Sequence, residues 1–239
     1  MNFQKGGRTM EKPWVMAQTW RNLVFLHWPI SADALRPFIP SELAIDLYDG
    51  QAWIGVVPFI ADHTRLRFFF PFPIAGNYRE LNVRTYVRCN GRAGVYFFSL
   101  DADSLLAVKA ASAGGFLPYR YARINSGSKG SRHLFTSRPA ASIHGENFRM
   151  GFTPAAGILE ASKLERWLTE RYCLWTKPKA ILYRVDIAHA PWRLQNVHIE
   201  IAENSLAPFL PAGWNAGQPL AHFSGVQKTR FYPPVKETM

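Results

Sequence analysis

Glu80-Leu81-Asn82-Val83-Arg84-Thr85-Tyr86-Val87-Arg88, Cys89-Asn90-Gly91-Arg92 and Ala93-Gly94-Val95-Tyr96-Phe97-Phe98-Ser99-Leu100-Asp101 read together as one β-hairpin. Leu81, Val83, Thr85 and Val87 alternate with Glu80, Asn82, Arg84, Tyr86 and Arg88, so one face is apolar and the other polar. Asn90-Gly91 supplies the two positive-φ residues that a type I′ turn requires. With that turn Cys89 pairs with Arg92, and counting outward sets Arg84 opposite Phe97, Asn82 opposite Ser99 and Glu80 opposite Asp101. Glu80, Arg84, Tyr86, Ser99 and Asp101 then share a face with Val95 and Phe97. A plain alternating strand is solvated on its polar side. A face that mixes carboxylates, an arginine and aromatic rings suits the inside of a barrel or a ligand cavity better.

The chain around this hairpin has 239 residues, 48% of them hydrophobic, which suffices for a substantial core in one large or two small domains. No segment approaches the run of about 18 apolar residues that a membrane span needs. Met1 to Val15 lacks the apolar stretch and small-residue cleavage site of a secretory signal. It reads as a flexible leader over residues 1–17, with a single domain over 18–239. The two cysteines, Cys89 and Cys173, have no metal-type spacing and fit a reducing cytoplasm. A formal charge of +11 invites a nucleic-acid reading. The arginines are scattered from Arg8 to Arg230, however, with no block of like charge and no DNA- or RNA-binding motif beside them, which argues against nucleic acid as a partner.

Short strand-like runs dominate: Trp20 to His27, Ala52 to Ile60, the hairpin, Tyr119 to Ile124, Arg132 to Ser137, Asn147 to Thr153, Ala180 to Ala188, Val197 to Ala202 and Leu220 to Val226. The Gly/Ser-rich stretch Asn125 to Ser131 reads as a hairpin loop. Three helices are predicted. Ser31 caps one that runs to Arg36, and Asp103 caps a second that runs to about Ala113 before Gly114-Gly115. Ser162-Lys163-Leu164-Glu165 is a capping box for the third, whose stripe of Leu164, Trp167, Leu168 and Tyr172 suits packing. Many short strands with three interspersed helices predict an α+β domain on an antiparallel sheet or barrel.

Phe25-Leu26-His27-Trp28-Pro29, Val57-Pro58-Phe59, the two hairpin strands, Leu117-Pro118-Tyr119 and His189-Ala190-Pro191-Trp192 together resemble the YqjF-like family, a bacterial domain of unknown function. The resemblance runs from about Gln18 into the 220s. It implies the acetoacetate decarboxylase-like fold: an antiparallel, cone-shaped β-barrel around a cavity, with helices packed outside. Decarboxylases of that fold attack a ketone with a lysine whose pKa is lowered by apolar surroundings and a second lysine. Set against their motif, Pro118 matches the proline, Tyr119 stands where the Schiff-base lysine would be, and Arg120 where the second lysine would be. Ser112 and Ala113 replace an arginine and a glutamate, and Ser112 departs from the YqjF-like pattern as well. Glu80 matches a glutamate of the decarboxylase cavity.

A tyrosine cannot form an imine and a guanidinium stays protonated, so Schiff-base decarboxylation is not expected. Lys109, earlier on the second helix, reads as solvated. No GxSxG, GxGxxG, P-loop or HExxH motif is present, the histidines show no ligand spacing, and neither cofactor nor metal is expected. His27 and His189, beside bulky aromatics at strand ends, read as packed, hydrogen-bonded residues. Glu80 is then the candidate acid or base, its proton affinity raised by Asp101. Arg84, Tyr86, Ser99, Asp101, Tyr119 and Arg120 are the candidate ligand-binding residues, with Arg84 and Arg120 able to grip a carboxylate. Two functions follow: binding of a small anionic or aromatic metabolite, or acid/base chemistry on a keto or conjugated acid. Relatives of the decarboxylase kind form large assemblies, so a homo-oligomer is compatible with the resemblance.

Overall fold

A computed structural model describes residues 13–67, 76–112, 116–142 and 144–238, and these contain thirteen strands, three α-helices and two 3-10 turns. The strands are β1 (Met16–Ile30), β2 (Ala44–Ile45), β3 (Ala52–Leu66), β4 (Tyr78–Cys89), β5 (Arg92–Ala102), β6 (Tyr119–Lys129), β7 (Arg132–Pro139), β8 (Phe148–Pro154), β9 (Cys173–Thr176), β10 (Tyr183–His189), β11 (Gln195–Asn204), β12 (Leu220–Phe231) and β13 (Val235–Lys236). The helices are α1 (Ala32–Leu35), α2 (Leu105–Ala111) and α3 (Lys163–Thr169).

Strand pairing closes two rings. One runs β5-β6-β7-β8-β11-β12-β1-β3-β4 and back to β5, nine strands in all. The other leaves the first at β5, passes through β9 and β10, and rejoins it at β12. The five strands β12, β1, β3, β4 and β5 are common to both rings, so this wall is covered on its two faces. The nine-strand ring is filled solid: Val24, Leu26, Val56, Leu81 and Val83 from the wall meet Ile124, Phe135, Phe148, Met150 and Phe152 from the far side. The opposite face of the wall lines a cavity. The expected antiparallel pattern holds except where β5 runs beside β6 and β9, two short parallel contacts.

Three irregularities aim the side chains of the wall. In β1 the register against β3 slips between Arg21 and Leu26, and Asn22 carries the positive φ of 52° that marks the extra residue. Gln18 and Trp20 before the slip, and Leu23 and Phe25 after it, therefore face the same cavity. Pro58 of β3 lies in the unpaired gap opposite this bulge, where its missing N–H costs no ladder bond. His63, at φ 50°, makes the second bulge, and Thr64 and Leu66 resume the cavity face after it.

The third lies in the hairpin. Cys89 pairs with Arg92 and Arg84 with Phe97, as counted from the Asn90-Gly91 turn. Val83 then pairs with Ser99, so β5 holds one extra residue, Phe98. Beyond it Asn82 faces Leu100 and Glu80 faces Ala102, not Ser99 and Asp101. A one-residue bulge inverts which side chains share a face, so Leu100 joins the cavity while Ser99 and Asp101 turn to the nine-strand side.

Local corrections are few. The fold begins before Gln18: Val15 donates its N–H to the Phe231 carbonyl and β1 starts at Met16, while residues 1–12 of the expected leader lie outside those described. Ser104, not Asp103, caps α2 through the Ala107 N–H, because the Asp103 carboxylate is engaged by the Arg79 backbone N–H and guanidinium. Gly114-Gly115, and Ala113 at the expected helix end, lie outside the described residues. The Gly/Ser-rich stretch is strand almost to its tip, with Lys129 paired to Arg132. Tyr172 lies beyond α3 and is exposed, outside the stripe that Leu164, Trp167 and Leu168 form.

Candidate functional site

The cavity of the seven-strand ring encloses about 550 Å³. Its walls combine aliphatic side chains with the aromatic rings of Trp20, Phe25, Phe59, Phe97, Trp192 and Phe231. Trp192 is carried in by the connection between β10 and β11 and tied down by its indole N–H, which donates to the Thr169 carbonyl at 2.8 Å. Its ring stacks on Trp20 and meets Phe25 edge-on. α2 contributes Leu106, Ala107, Ala110 and Ala111 on one side. α3 closes the end of the ring, with Leu168 packed among Tyr86, Val95, Leu174 and Val185.

Few polar groups enter this lining, and β4 supplies three at alternate positions: Glu80, Asn82 and Arg84. Glu80 is 4% exposed and accepts a hydrogen bond from the Tyr119 hydroxyl at 2.9 Å. Burial pushes its carboxyl up to about 8; the tyrosine bond opposes this and the charge of Asp101 adds to it. At neutral pH Glu80 is thus mostly a neutral acid. Burial and the neighbouring Glu80 push the Tyr119 phenol well above its ordinary range, so it remains a donor. Gln18 completes this end, donating to Tyr78 and Thr64 and accepting from the Trp20 indole.

At the other end lie two guanidiniums. Arg84 has no carboxylate partner among the described residues; its Nε and Nη2 are buried without a hydrogen-bond partner, and its charge lies close to the Tyr86 phenol. It lies over the rings of Phe25 and Tyr86, at 5.6 and 5.9 Å. Arg171 is held by Asp46 at 2.6 Å and by the Trp167 carbonyl, and its Nη2 has no partner. Tyr86 itself lies below the lining, fully buried, its hydroxyl unpartnered among the described residues.

Of the expected site residues, then, Glu80, Arg84 and Tyr119 meet in the cavity and Tyr86 lies beneath it. Ser99, Asp101 and Arg120 do not line it. The bulge at Phe98 turns Ser99 and Asp101 away, and Arg120 forks onto Asp101 at 2.7 and 3.1 Å while also holding Glu146. Burial pushes the Asp101 carboxyl up and the Arg120 fork opposes that push. The expected grip of Arg84 with Arg120 is therefore not formed; Arg171 is the second guanidinium. It follows a helix read from the sequence as mere packing, and nothing in its local pattern separates it from the chain's other arginines. His189 packs as expected, with Nδ1 2.8 Å from the Ala190 carbonyl and its ring on Tyr172. His27 packs too, but neither ring nitrogen has a partner among the described residues. Lys109 is exposed on α2, and no lysine lines the cavity among the described residues.

The model of the family DUF2071, described as an uncharacterised conserved protein, matches residues 17–228. The chain belongs to this family. Uncharacterized protein YqjF of Bacillus subtilis (strain 168) is 40% identical over 222 residues, covering 92% of this chain and 91% of that one. Among solved structures, acetoacetate decarboxylase from Legionella pneumophila subsp. pneumophila str. Philadelphia 1 superposes with a TM-score of 0.65 at 11% identity, covering 99% of this chain and 92% of that one. The enduracididine biosynthesis enzyme MppR complexed with pyruvate does so at 0.64 and 13%, covering 95% and 91%. This DUF2071 chain has the acetoacetate decarboxylase-like fold. No helix among its described residues is long and apolar enough to cross a membrane.

Proposed function

We propose that the chain binds a small organic metabolite in the seven-strand ring, with Glu80 and Tyr119 gripping an oxygen of the ligand. One observation carries this reading: a cavity of about 550 Å³ lined mostly by aliphatic and aromatic side chains, with the polar groups of Gln18, Glu80, Asn82, Arg84, Tyr119 and Arg171 set among them. Ligand sites commonly have that size and that balance. A neutral carboxylic acid donates where a carboxylate cannot. MppR, of the same fold, holds pyruvate in its solved structure, which supports a carbonyl compound as the ligand class. With no lysine in the lining among the described residues, the reading contains no Schiff-base step. Two free, buried thiols suit a cytoplasmic setting, and the +11 surface is read as general charge rather than a nucleic-acid site.

The test is a thermal-shift screen of keto acids, aryl ketones and aryl acids. Stabilisation by one class, weakened in Phe59→Ala and Phe97→Asp variants that remain folded, supports the reading; no stabilisation by any class overturns it. A second reading makes Glu80 a general acid or base, favoured by its carboxyl at about 8 beside the Tyr119 hydroxyl. Under it, Glu80→Gln abolishes turnover of a bound keto acid and keeps its binding. Unchanged turnover rejects it.

A further inference from the structure

Beneath the cavity, where α3 closes the ring, lies a buried layer of polar groups that the fold leaves unpaired. Arg84 Nε and Nη2, Arg171 Nη2, Trp53 Nε1, the Tyr86 hydroxyl, both nitrogens of His27 and Nδ1 of His222 have no partner among the described residues. These groups are neighbours. Arg84 and Arg171 both lie over the Tyr86 ring, at 5.9 and 5.0 Å, and the His27 ring is 6.0 Å from it. Phe25 of β1 pairs with His222 of β12, and His222 reaches Glu165 of α3 at 2.9 Å. Gly55 leaves the room: a Cβ there would lie 3.2 Å from the Tyr86 hydroxyl, 3.3 Å from His27 and 3.4 Å from Arg84.

Leaving a buried donor unmade costs about 1–3 kcal/mol, more for a charged one, so a cluster of them marks a place where a partner belongs. In the cluster donors outnumber acceptors, which include the Tyr86 oxygen and one ring nitrogen of His27. Guanidinium and indole nitrogens only donate. Burial, and the charges of Arg84, His222 and Arg171, hold His27 well below its ordinary pKa, so it is a neutral ring. Of the two buried guanidiniums one has no counter-charge: Asp46 answers Arg171, while Arg84 has no carboxylate partner among the described residues; Arg88, which also reaches Asp46, is half-exposed.

The geometry points to an oxyanion seat in the floor of the cavity, between Arg84 and Arg171, that takes the carboxylate of a monoanionic ligand. This rests on the reading that the cavity holds a ligand, and names its charged group. A single uncompensated cation matches a monoanion and leaves a phosphate dianion half-unanswered. Along β4, Arg84 is four residues from Glu80, about 13 Å of extended strand. The ligand therefore carries its carboxylate at the floor and runs its apolar body past Asn82, with any second oxygen toward Glu80 and Tyr119. A three-carbon keto acid is too short to engage both ends; an aryl- or alkyl-bearing acid fits.

Calorimetry with 3-phenylpropanoate and its neutral amide, together with crystals soaked in sodium bromide, tests the seat. The acid is expected to bind at least tenfold more tightly than the amide. Arg84→Met is expected to abolish that preference, and bromide is expected between Arg84 and Arg171 in the parent. Equal binding of acid and amide, unchanged in Arg84→Met, overturns the seat and leaves the cavity reading standing. Bromide in the floor with neither phenyl compound bound keeps the seat and removes the cavity reading. An empty floor with no binding removes both.

Discussion

Glu80 is the residue at which burial and chemistry are most tightly coupled. Its carboxyl titrates near 8 in the folded chain and near 4.3 in an unfolded one. Below about pH 4 both states are protonated and the burial costs nothing. Between about 4.3 and 8 the unfolded chain ionises and the native one does not, so stability falls as pH rises, by about 1.4 kcal/mol per pH unit at most, and levels off above 8. Glu80→Gln keeps an oxygen to accept the Tyr119 hydrogen bond and has no proton to hold. The variant is expected to be more stable than the parent at pH 8 to 9 and indistinguishable at pH 4; chemical denaturation across that range measures the difference. Coincident curves would mean that Glu80 ionises normally. Its place in the cavity was legible in the sequence, because alternation about Arg84 and Tyr86 is a local property. That Arg171 would be the other guanidinium was not, since contacts 87 residues apart in the chain leave no local trace.

Single elements decide how the cavity closes. β9 is four residues long and joins the second ring through a parallel contact with β5. Gly94 makes that contact feasible: a Cβ there would lie 2.7 Å from the Cys173 carbonyl and sulfur and 2.8 Å from the Trp175 indole nitrogen. Gly94→Ala is expected to cost about 1–3 kcal/mol, since the backbone of β9 must shift; an unchanged denaturation midpoint would show the approach to be loose. α3 plugs the ring end, and Ser162→Ala, which removes the hydroxyl that accepts the Glu165 N–H, is expected to cost about 1 kcal/mol. If midpoint and ligand affinity both stay put, the cap does not hold the plug. Elements with chemistry of their own could be read in advance: the Asn90-Gly91 turn, the Ser31 cap, the Ser162 box. β9 could not, being shorter than any periodicity. Nor could the bulges at Asn22, His63 and Phe98, which follow from how the wall is paired on both sides. One of them moved Ser99 and Asp101 out of the expected site; Arg120, next to Tyr119 on β6, faces away from it and pairs with Asp101.

At the scale of the whole molecule the shared wall divides labour between its faces. The face toward the nine-strand ring is packed solid, and the one toward the seven-strand ring keeps unpaired polar groups around open space. The same strand, β4, bears both sets: Leu81 is fully buried in the packed core, and Arg84 carries a charge that nothing answers. Truncating a packed leucine leaves a void that its neighbours cannot refill, so Leu81→Ala is expected to cost about 2–5 kcal/mol. Removing a partly buried guanidinium whose Nε and Nη2 have no partner relieves part of a desolvation cost, so Arg84→Met is expected to leave stability unchanged or to raise it. Functional sites of this kind are held at the expense of stability, and these two positions, three residues apart, put that to the test within one strand. Equilibrium denaturation of both variants decides it. Should Arg84→Met unfold the chain as readily as Leu81→Ala, Arg84 is a structural residue, and the cavity floor is held together by contacts other than those described.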